Sequence, residues 1–334
     1  MAHKRLAIFY GISIMHRIEI IKEFFIVEEH IIEISNLYTS FFIDTQVIPV
    51  INNLNLCIKK GKVFGLIGES GSGKTMTALS ILRLVPSPGR ITGGKIYFEG
   101  KNILSLTNKE MEAIRGDRIG MVFQEPMTAL NPVIRVGEQI SETLIIHKGL
   151  SKKEAKERSI ELLQNVGFED PEKKYLQYPH QLSGGQRQRV LIAIAISCNP
   201  SLVIADEPTT ALDVATESQI LLLLKTLIET RQLSMLFITH NLNIMKRFGD
   251  HIGIMYAGRL LEEAPVFEFF NKPLHPYSRG LMDSIFTLKY NEKRLKAIAG
   301  SVPKLSDLPQ GCKFHPRCNY AMEKCKKEEP EMKH

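Results

Sequence analysis

The segment GESGSGKT, Gly68 to Thr75, places three glycines, a lysine and a threonine in the pattern G-x-x-x-x-G-K-[ST]. Gly68, Gly71 and Gly73 permit torsions that turn successive N–H groups inward to form an anion nest, across Glu69, Ser70 and Ser72. A helix starting just after them adds its positive end. Lys74 then supplies a point charge to outer phosphates, and the Thr75 hydroxyl suits Mg²⁺. The chemistry implied is binding of a nucleoside triphosphate. A second group follows in LVIADEP, where Asp206 and Glu207 end an apolar run. Asp206 is placed to hold Mg²⁺ largely through water, and Glu207 to polarise an attacking water as general base. Gln124 closes MVFQ and His240 closes LFITH. Both are expected on the sheet edge that holds the phosphates, Gln124 near the metal and its water, His240 near the γ-phosphate.

The elements needed to position these groups are readable from periodicity. IIEISNLYTSFF (31–42) alternates as a strand, and NNLNLCIKKGKVFGLIG (52–68) reads as strand, Lys-Lys-Gly turn and buried strand. KTMTALSILRLV predicts a helix with an apolar stripe at Met76, Leu79, Ile81, Leu82 and Val85, ended by Pro86 and Pro88. GGKIYFEGKNI predicts a hairpin bending at Glu99-Gly100. Residues 136–166 are helical in pattern, with Ser151 and Glu154 forming a capping box. RIGMVFQEP (118–126) reads as a strand ending in a polar loop, and LVIADEP (202–208) and SMLFITH (234–240) as strands of the parallel, buried kind. Strands alternating with helices argue for an α/β parallel sheet, with a helical insertion between Gln124 and Leu182. After residue 262 the pattern weakens into proline-rich turns.

LSGGQ, Leu182 to Gln186, raises a separate question. Adjacent glycines weaken a helix start by roughly 1 kcal/mol each relative to alanine, so a close approach to the backbone is expected at Gly184 and Gly185. The Ser183 hydroxyl and the bare N–H groups beside it make a second anion site at a helix N-terminus. Carried away from Gly68–Thr75 by the helical insertion, that site would serve a γ-phosphate held by another subunit.

The chain has 334 residues, 44% apolar and 24% charged, enough for a large domain with an appendage. Its net charge of +7 allows contact with phosphate-rich partners without requiring it. No stretch reaches the ~20 apolar residues needed to span a bilayer, and LAIFYGISIM (6–15) lacks the cleavage site of a secretory signal. Phosphate-binding chemistry places the chain with ATP in the cytoplasm. Cys57 and Cys198 read as small core residues, and a disulfide framework is not expected.

GESGSGKT, the Gln124 loop, LSGGQ, LVIADEP, the segment Thr210 to Asp213 (TALD) and His240, in that order, resemble the ATP-binding subunits of ATP-binding-cassette (ABC) transporters over about residues 31–262. The resemblance implies a P-loop NTPase core with an antiparallel β subdomain, a helical subdomain at about 125–190 and a C-terminal extension at 263–334, after an N-terminal stretch 1–30. It implies ATP and Mg²⁺ as ligands, with Gln186 and Asp213 at the dimer site and an aromatic stacking on adenine: Phe41, with Phe42 and Tyr38 as competitors. QEPMTALNP (124–132), HPYSRGL (275–281) and GCKFHPRCNYAMEKC (311–325) look like the oligopeptide/dipeptide importers, with nickel importers as near relatives. By that resemblance the partners are a second ATPase chain, two membrane permeases and an external solute-binding protein. The place of work is the cytoplasmic face of the membrane. Nucleic acid is not an expected partner: one phosphate loop and no long heptad insertion argue against the ribosome and DNA members of the family. In this branch the tail often holds an iron–sulfur cluster; Cys312, Cys318 and Cys325 match, but a four-cysteine cluster needs one more thiolate, with His315, His334 or structural zinc as other readings.

Overall fold

The computed structural model describes residues 29–210, 212–289 and 298–332. The stretch LAIFYGISIM, Ala211 of the TALD segment and His334 lie outside the described residues. Two sheets organise the chain. Strands β1 (His30–Ile43), β2 (Gln46–Lys59), β4 (Gly89–Phe98) and β5 (Lys101–Asn102) form an antiparallel sheet in the order β2-β1-β4-β5. Strands β3 (Val63–Ile67), β6 (Ile119–Val122), β7 (Leu202–Asp206), β8 (Ser234–Thr239), β9 (His251–Tyr256) and β10 (Arg259–Pro265) form the second, in the order β10-β9-β3-β8-β7-β6. All its pairs are parallel except β9 with β10.

The middle strands of the second sheet are unbroken apolar runs because both faces are covered. Alternate residues enter different cores. On β7, Leu202 and Ile204 join the core shared with the antiparallel sheet, whereas Val203 and Ala205 join the one built with the long helices. On β8 the same division separates Leu236 and Ile238 from Met235 and Phe237. Between the sheets lies helix α1 (Lys74–Ile81). It is shorter than the prolines suggest, because Leu82 caps it and Arg83 turns to φ 52°. Its buried face is also more polar than the expected stripe: Thr77, Ala78, Ser80 and Ile81 are buried, and Ser80 meets Thr39 hydroxyl to hydroxyl at 3.0 Å. Met76 and Leu79 are only partly buried.

The hairpin bend holds as expected, Glu99 and Gly100 both having positive φ (48° and 77°). Helices α2 (Asn108–Ile114), α3 (Pro126–Ala129), α4 (Val136–Lys148), α5 (Lys152–Asn165) and α6 (Pro171–Tyr175) follow. The Ser151–Glu154 capping box opens α5 as predicted. Apolar residues of α4 and α5 (Ile140, Leu144, Leu162, Leu163) are continuous with the core beneath α7 (Gly184–Ile196) and α8 (Val214–Arg231).

Two expectations fail. Cys57 is exposed on β2, an alternating strand that buries Leu56 and Ile58 instead; of the two, Cys198 is the core thiol. The segment after 262 is not mostly turns. It holds α10 (Val266–Asn271) and α11 (Pro276–Lys289), after α9 (Leu242–Phe248) in the preceding region. NKPLHPYSRG combines a short turn with a proline at the first position of α11, where its missing N–H costs nothing.

Candidate nucleotide site

Parallel register brings the sequence motifs to one edge. Ile67 pairs with Thr239, Asp206 with Ile238 and Val122 with Ala205, so the residues after β3, β8, β7 and β6 leave the sheet at about the same level. Ligands of open α/β sheets gather at that carboxyl edge. Gly68–Thr75 follows β3, Glu207 follows β7, His240 follows β8 and Gln124 lies just beyond β6.

In the loop Gly71 (φ 76°) and Gly73 (φ 104°) occupy left-handed torsions. Gly68 serves a different purpose from the one expected: a Cβ there would lie 2.1 Å from the Met255 carbonyl oxygen, so it is needed for close approach. Gly73 is the N-cap of α1 and brings no side-chain cap, leaving first-turn N–H groups directed at the loop's concavity. The Ser72 hydroxyl is buried and unpaired among the described residues, and Ser70 is exposed. Lys74 donates to the carbonyls of Gly68 (2.8 Å) and Glu69 (3.0 Å), using two of its three N–H bonds. Burial pushes its ammonium down from the ordinary value, opposed by the carboxylates of Glu207, Asp206 and Glu69. A lysine ammonium and uncapped helix N–H groups together suit an anion.

Glu207 is the centre of the second group. Its Oε2 accepts from Gln124 Nε2 (3.2 Å) and from the Thr210 hydroxyl (2.9 Å), and lies 3.4 Å from His240 Nδ1. Its backbone sits at φ 44°, a conformation that costs a non-glycine residue of order 1–3 kcal/mol and persists where surrounding structure imposes it. Here the imposing bond runs from the Glu207 N–H to the Ile238 carbonyl (2.9 Å), continuing the β7–β8 ladder one residue past the strand. The side chain is 14% exposed, that of His240 64%, so the carboxylate is sheltered but reachable. Asp206 is buried, with Oδ1 unpaired among the described residues. Burial pushes its carboxyl up, opposed by the Thr75 hydroxyl and Lys74 and reinforced by Glu207. An orphaned carboxylate oxygen beside an exposed threonine hydroxyl and near a glutamine fits a hard cation with oxygen ligands. Thr75, Asp206 and Gln124 therefore suit Mg²⁺.

LSGGQ stands at the start of α7. Ser183 is the N-cap of α7, its hydroxyl accepting from the Gln186 N–H and the Gln186 side chain answering the Ser183 N–H, both at 3.3 Å. The glycines thus lie within the first turn of the helix rather than ahead of it. They differ in purpose. A Cβ on Gly185 would fall 2.4 Å from the Thr216 methyl, so Gly185 is required within the chain. A Cβ on Gly184 would make only an ordinary 3.7 Å contact with Leu212, and Gly184 is exposed. Gly185→Ala should therefore lose about 1–2 kcal/mol, an overpacking penalty partly offset by helix propensity. Thr216→Ser in the same chain should recover most of it, because the hydroxyl that bonds Asp213 (2.7 Å) stays; thermal unfolding checks both. Asp213 caps α8, accepting also from the Thr216 N–H at 2.9 Å, and so ties the end of the TALD segment to the helix facing Gly185.

Of the aromatic candidates, Phe41 is half-buried against Gly89, where a Cβ would strike its ring at 2.8 Å. Phe42 has the Arg90 guanidinium 3.9 Å over its ring, and Tyr38 is 37% exposed. Thr210 and Arg317 were not singled out from sequence as parts of the site. Thr210 stood in the TALD segment, and Arg317, bonded to Glu69 at 2.9 Å, stood in GCKFHPRC.

Two of the three tail cysteines meet, the Cys312 N–H donating to the Cys325 carbonyl at 2.8 Å. Three thiols alone do not make a four-thiolate set, and His315 Nδ1 faces the Cys312 carbonyl at 2.9 Å. Among the described residues no group of three or more His, Cys, Asp and Glu is placed to hold a metal.

A family model described as ABC transporter matches residues 51–210, and one described as oligopeptide/dipeptide transporter, C-terminal region, matches residues 261–325. The oligopeptide transport ATP-binding protein AppD of Bacillus subtilis is 49% identical over 90% of this chain and 92% of its own length. A putative peptide import ATP-binding protein of Brucella melitensis is 46% identical over 88% and 91%. The ATP-binding cassette MJ0796, solved as a dimer bound to ADP and Pi, superposes with a TM-score of 0.64 at 33% identity, over 70% of this chain and 98% of that one. The chain belongs to the ATP-binding proteins of ABC transporters, in the oligopeptide/dipeptide branch, and is an ATPase of that family.

Proposed function

We propose that this chain is one of two ATPase subunits that drive an importer of di- and oligopeptides, working from the cytoplasmic face of the membrane. The observation that carries the hydrolytic role is the convergence of Gln124, Thr210 and His240 on one oxygen of Glu207, at the edge where the phosphate loop opens. Residues 31–262 form the motor and 263–334 the extension.

Backbone N–H groups of Ser70–Thr75 and the Lys74 ammonium bind the phosphates of ATP, and Phe41 stacks on the adenine. Thr75, Asp206 and Gln124 hold Mg²⁺, which when bound neutralises phosphate charge and orients the phosphate chain. Glu207 accepts a proton from the attacking water, while Thr210 and Gln124 keep the receiving carboxylate aimed. His240 donates toward the γ-phosphate oxygens. Ser183, Gly184 and Gln186 of a second ATPase chain close over the same γ-phosphate, with Asp213 at the junction, so that ATP joins the two subunits and hydrolysis parts them.

Around Gln124 the segment carries the exposed apolar side chains Phe123 (42%), Met127 (67%) and Val133 (77%). Exposed apolar side chains in this segment suit a docking face, here for a permease helix. Among the described residues no helix is long and apolar enough to cross a membrane. An external binding protein delivers the peptide. In vesicles holding the assembled transporter, ATP turnover should rise severalfold with peptide-loaded binding protein and stay flat with Ni²⁺. Stimulation by Ni²⁺ alone would reassign the cargo.

A further inference from the structure

Glu69, second residue of the phosphate loop, is held on three sides. Its carbonyl accepts from Lys74 at 3.0 Å. Its N–H donates to the Tyr277 hydroxyl at 3.2 Å, and its carboxylate accepts from Arg317 Nη1 at 2.9 and 3.2 Å. The last two partners come from the C-terminal extension, Tyr277 from HPYSRGL and Arg317 from GCKFHPRC. The chemistry of ATP hydrolysis leaves both motifs unexplained.

The extension is closely packed where it makes these bonds. Tyr277 and Tyr256 are fully buried and meet at 4.8 Å between ring centroids, and Phe314 packs on both at 5.2 and 5.3 Å. Arg317, 6% exposed, is further fixed by the carbonyls of Ala299 (3.0 Å) and Ile298 (3.4 Å). Glu69 is 31% exposed and close enough to Lys74 to act on its charge. A carboxylate there is an unfavourable neighbour for phosphates and a competitor for the lysine that must hold them.

We propose that Arg317 and Tyr277 are positioning residues for ATP binding: Arg317 holds the Glu69 carboxylate away from Lys74, and Tyr277 fixes the Glu69 peptide that opens the anion nest. The extension is thereby the back wall of the nucleotide site, and disturbance of the Cys312–Cys325 turn around Arg317 reaches ATP affinity through this contact. The inference rests on the reading that Gly68–Thr75 holds the phosphates of ATP.

The test is a titration of full-length chain with methylanthraniloyl-ATP and Mg²⁺, with thermal unfolding recorded for each variant. Arg317→Ala should weaken binding about tenfold, since truncating one partner of a sheltered charge pair leaves the other free. Arg317→Ala combined with Glu69→Gln should recover most of that loss, because no free carboxylate remains to compete. Arg317→Lys should bind more tightly than Arg317→Ala. Tyr277→Phe, which removes one hydroxyl from a packed ring, should weaken binding a few-fold and keeps the test alive if Arg317→Ala does not fold. Parental affinity in Arg317→Ala or Tyr277→Phe, or a double variant as weak as Arg317→Ala, overturns the proposal. A parent chain that binds the probe no better than Lys74→Ala would overturn the ATP assignment itself.

Discussion

Glu207→Gln should bind ATP with Mg²⁺ as tightly as the parent chain and turn it over at least about a hundredfold more slowly, the lower range of what a positioned general base contributes. The amide has nearly the shape of the carboxylate. Its oxygen can still accept the Thr210 hydroxyl at 2.9 Å, and the bond from the Glu207 N–H to Ile238 belongs to the backbone. What is lost is the capacity to take a proton. ATP should then persist between two chains, and a dimer absent from the parent after turnover should accumulate. Single-turnover kinetics with equilibrium binding separate the two quantities. Loss of ATP affinity in this variant would remove Glu207 from the base role and make it a binding residue.

Ser183→Arg should leave nucleotide binding to the isolated chain within about twofold of the parent while abolishing ATP-driven association, because the hydrogen bonds of Ser183 stay within LSGGQ and the turn that follows. The polar partners of Ser183 are confined to its own helix turn, Gln186 at 3.3 Å in both directions. The arginine would fill the exposed space in front of Gly184 and remove the cap, worth ~1 kcal/mol of helix stability. Light scattering of Glu207→Gln with and without the second change reads the association directly. Persistence of the ATP-bound dimer would show that LSGGQ does not face a partner's nucleotide.

The phosphate loop, the Asp206–Glu207 pair and the strands beneath them were readable in the sequence because their chemistry is local. Binding phosphate through backbone N–H groups demands glycines at fixed offsets, and a strand covered on both faces must be an apolar run ending in the polar residue it presents. Gln124 and His240 followed from the same logic of strand ends. Other features depend on contacts distant in sequence and leave no periodic trace. The Thr216 methyl that requires Gly185 comes from the start of another helix, and Arg317 meets Glu69 across 248 positions. HPYSRGL and GCKFHPRC were visible as branch markers, but nothing in their composition points to the phosphate loop. Helix α1 was misjudged because it is sandwiched between sheets, where small residues such as Ala78 and Ser80 fit and a broad apolar stripe does not. Cys57 reads as core from its apolar neighbours, but strand alternation turns it outward.

The measurement that bears most directly on the account is recovery of tagged Glu207→Gln chain from solubilised membranes in ATP and Mg²⁺, with its companions identified by mass spectrometry. The account predicts two multi-span permeases and a second ATPase chain, lost together when ATP is omitted or when Ser183→Arg is added. Recovery of ribosomal or chromosomal proteins in their place would contradict the transport role while leaving the ATPase chemistry intact.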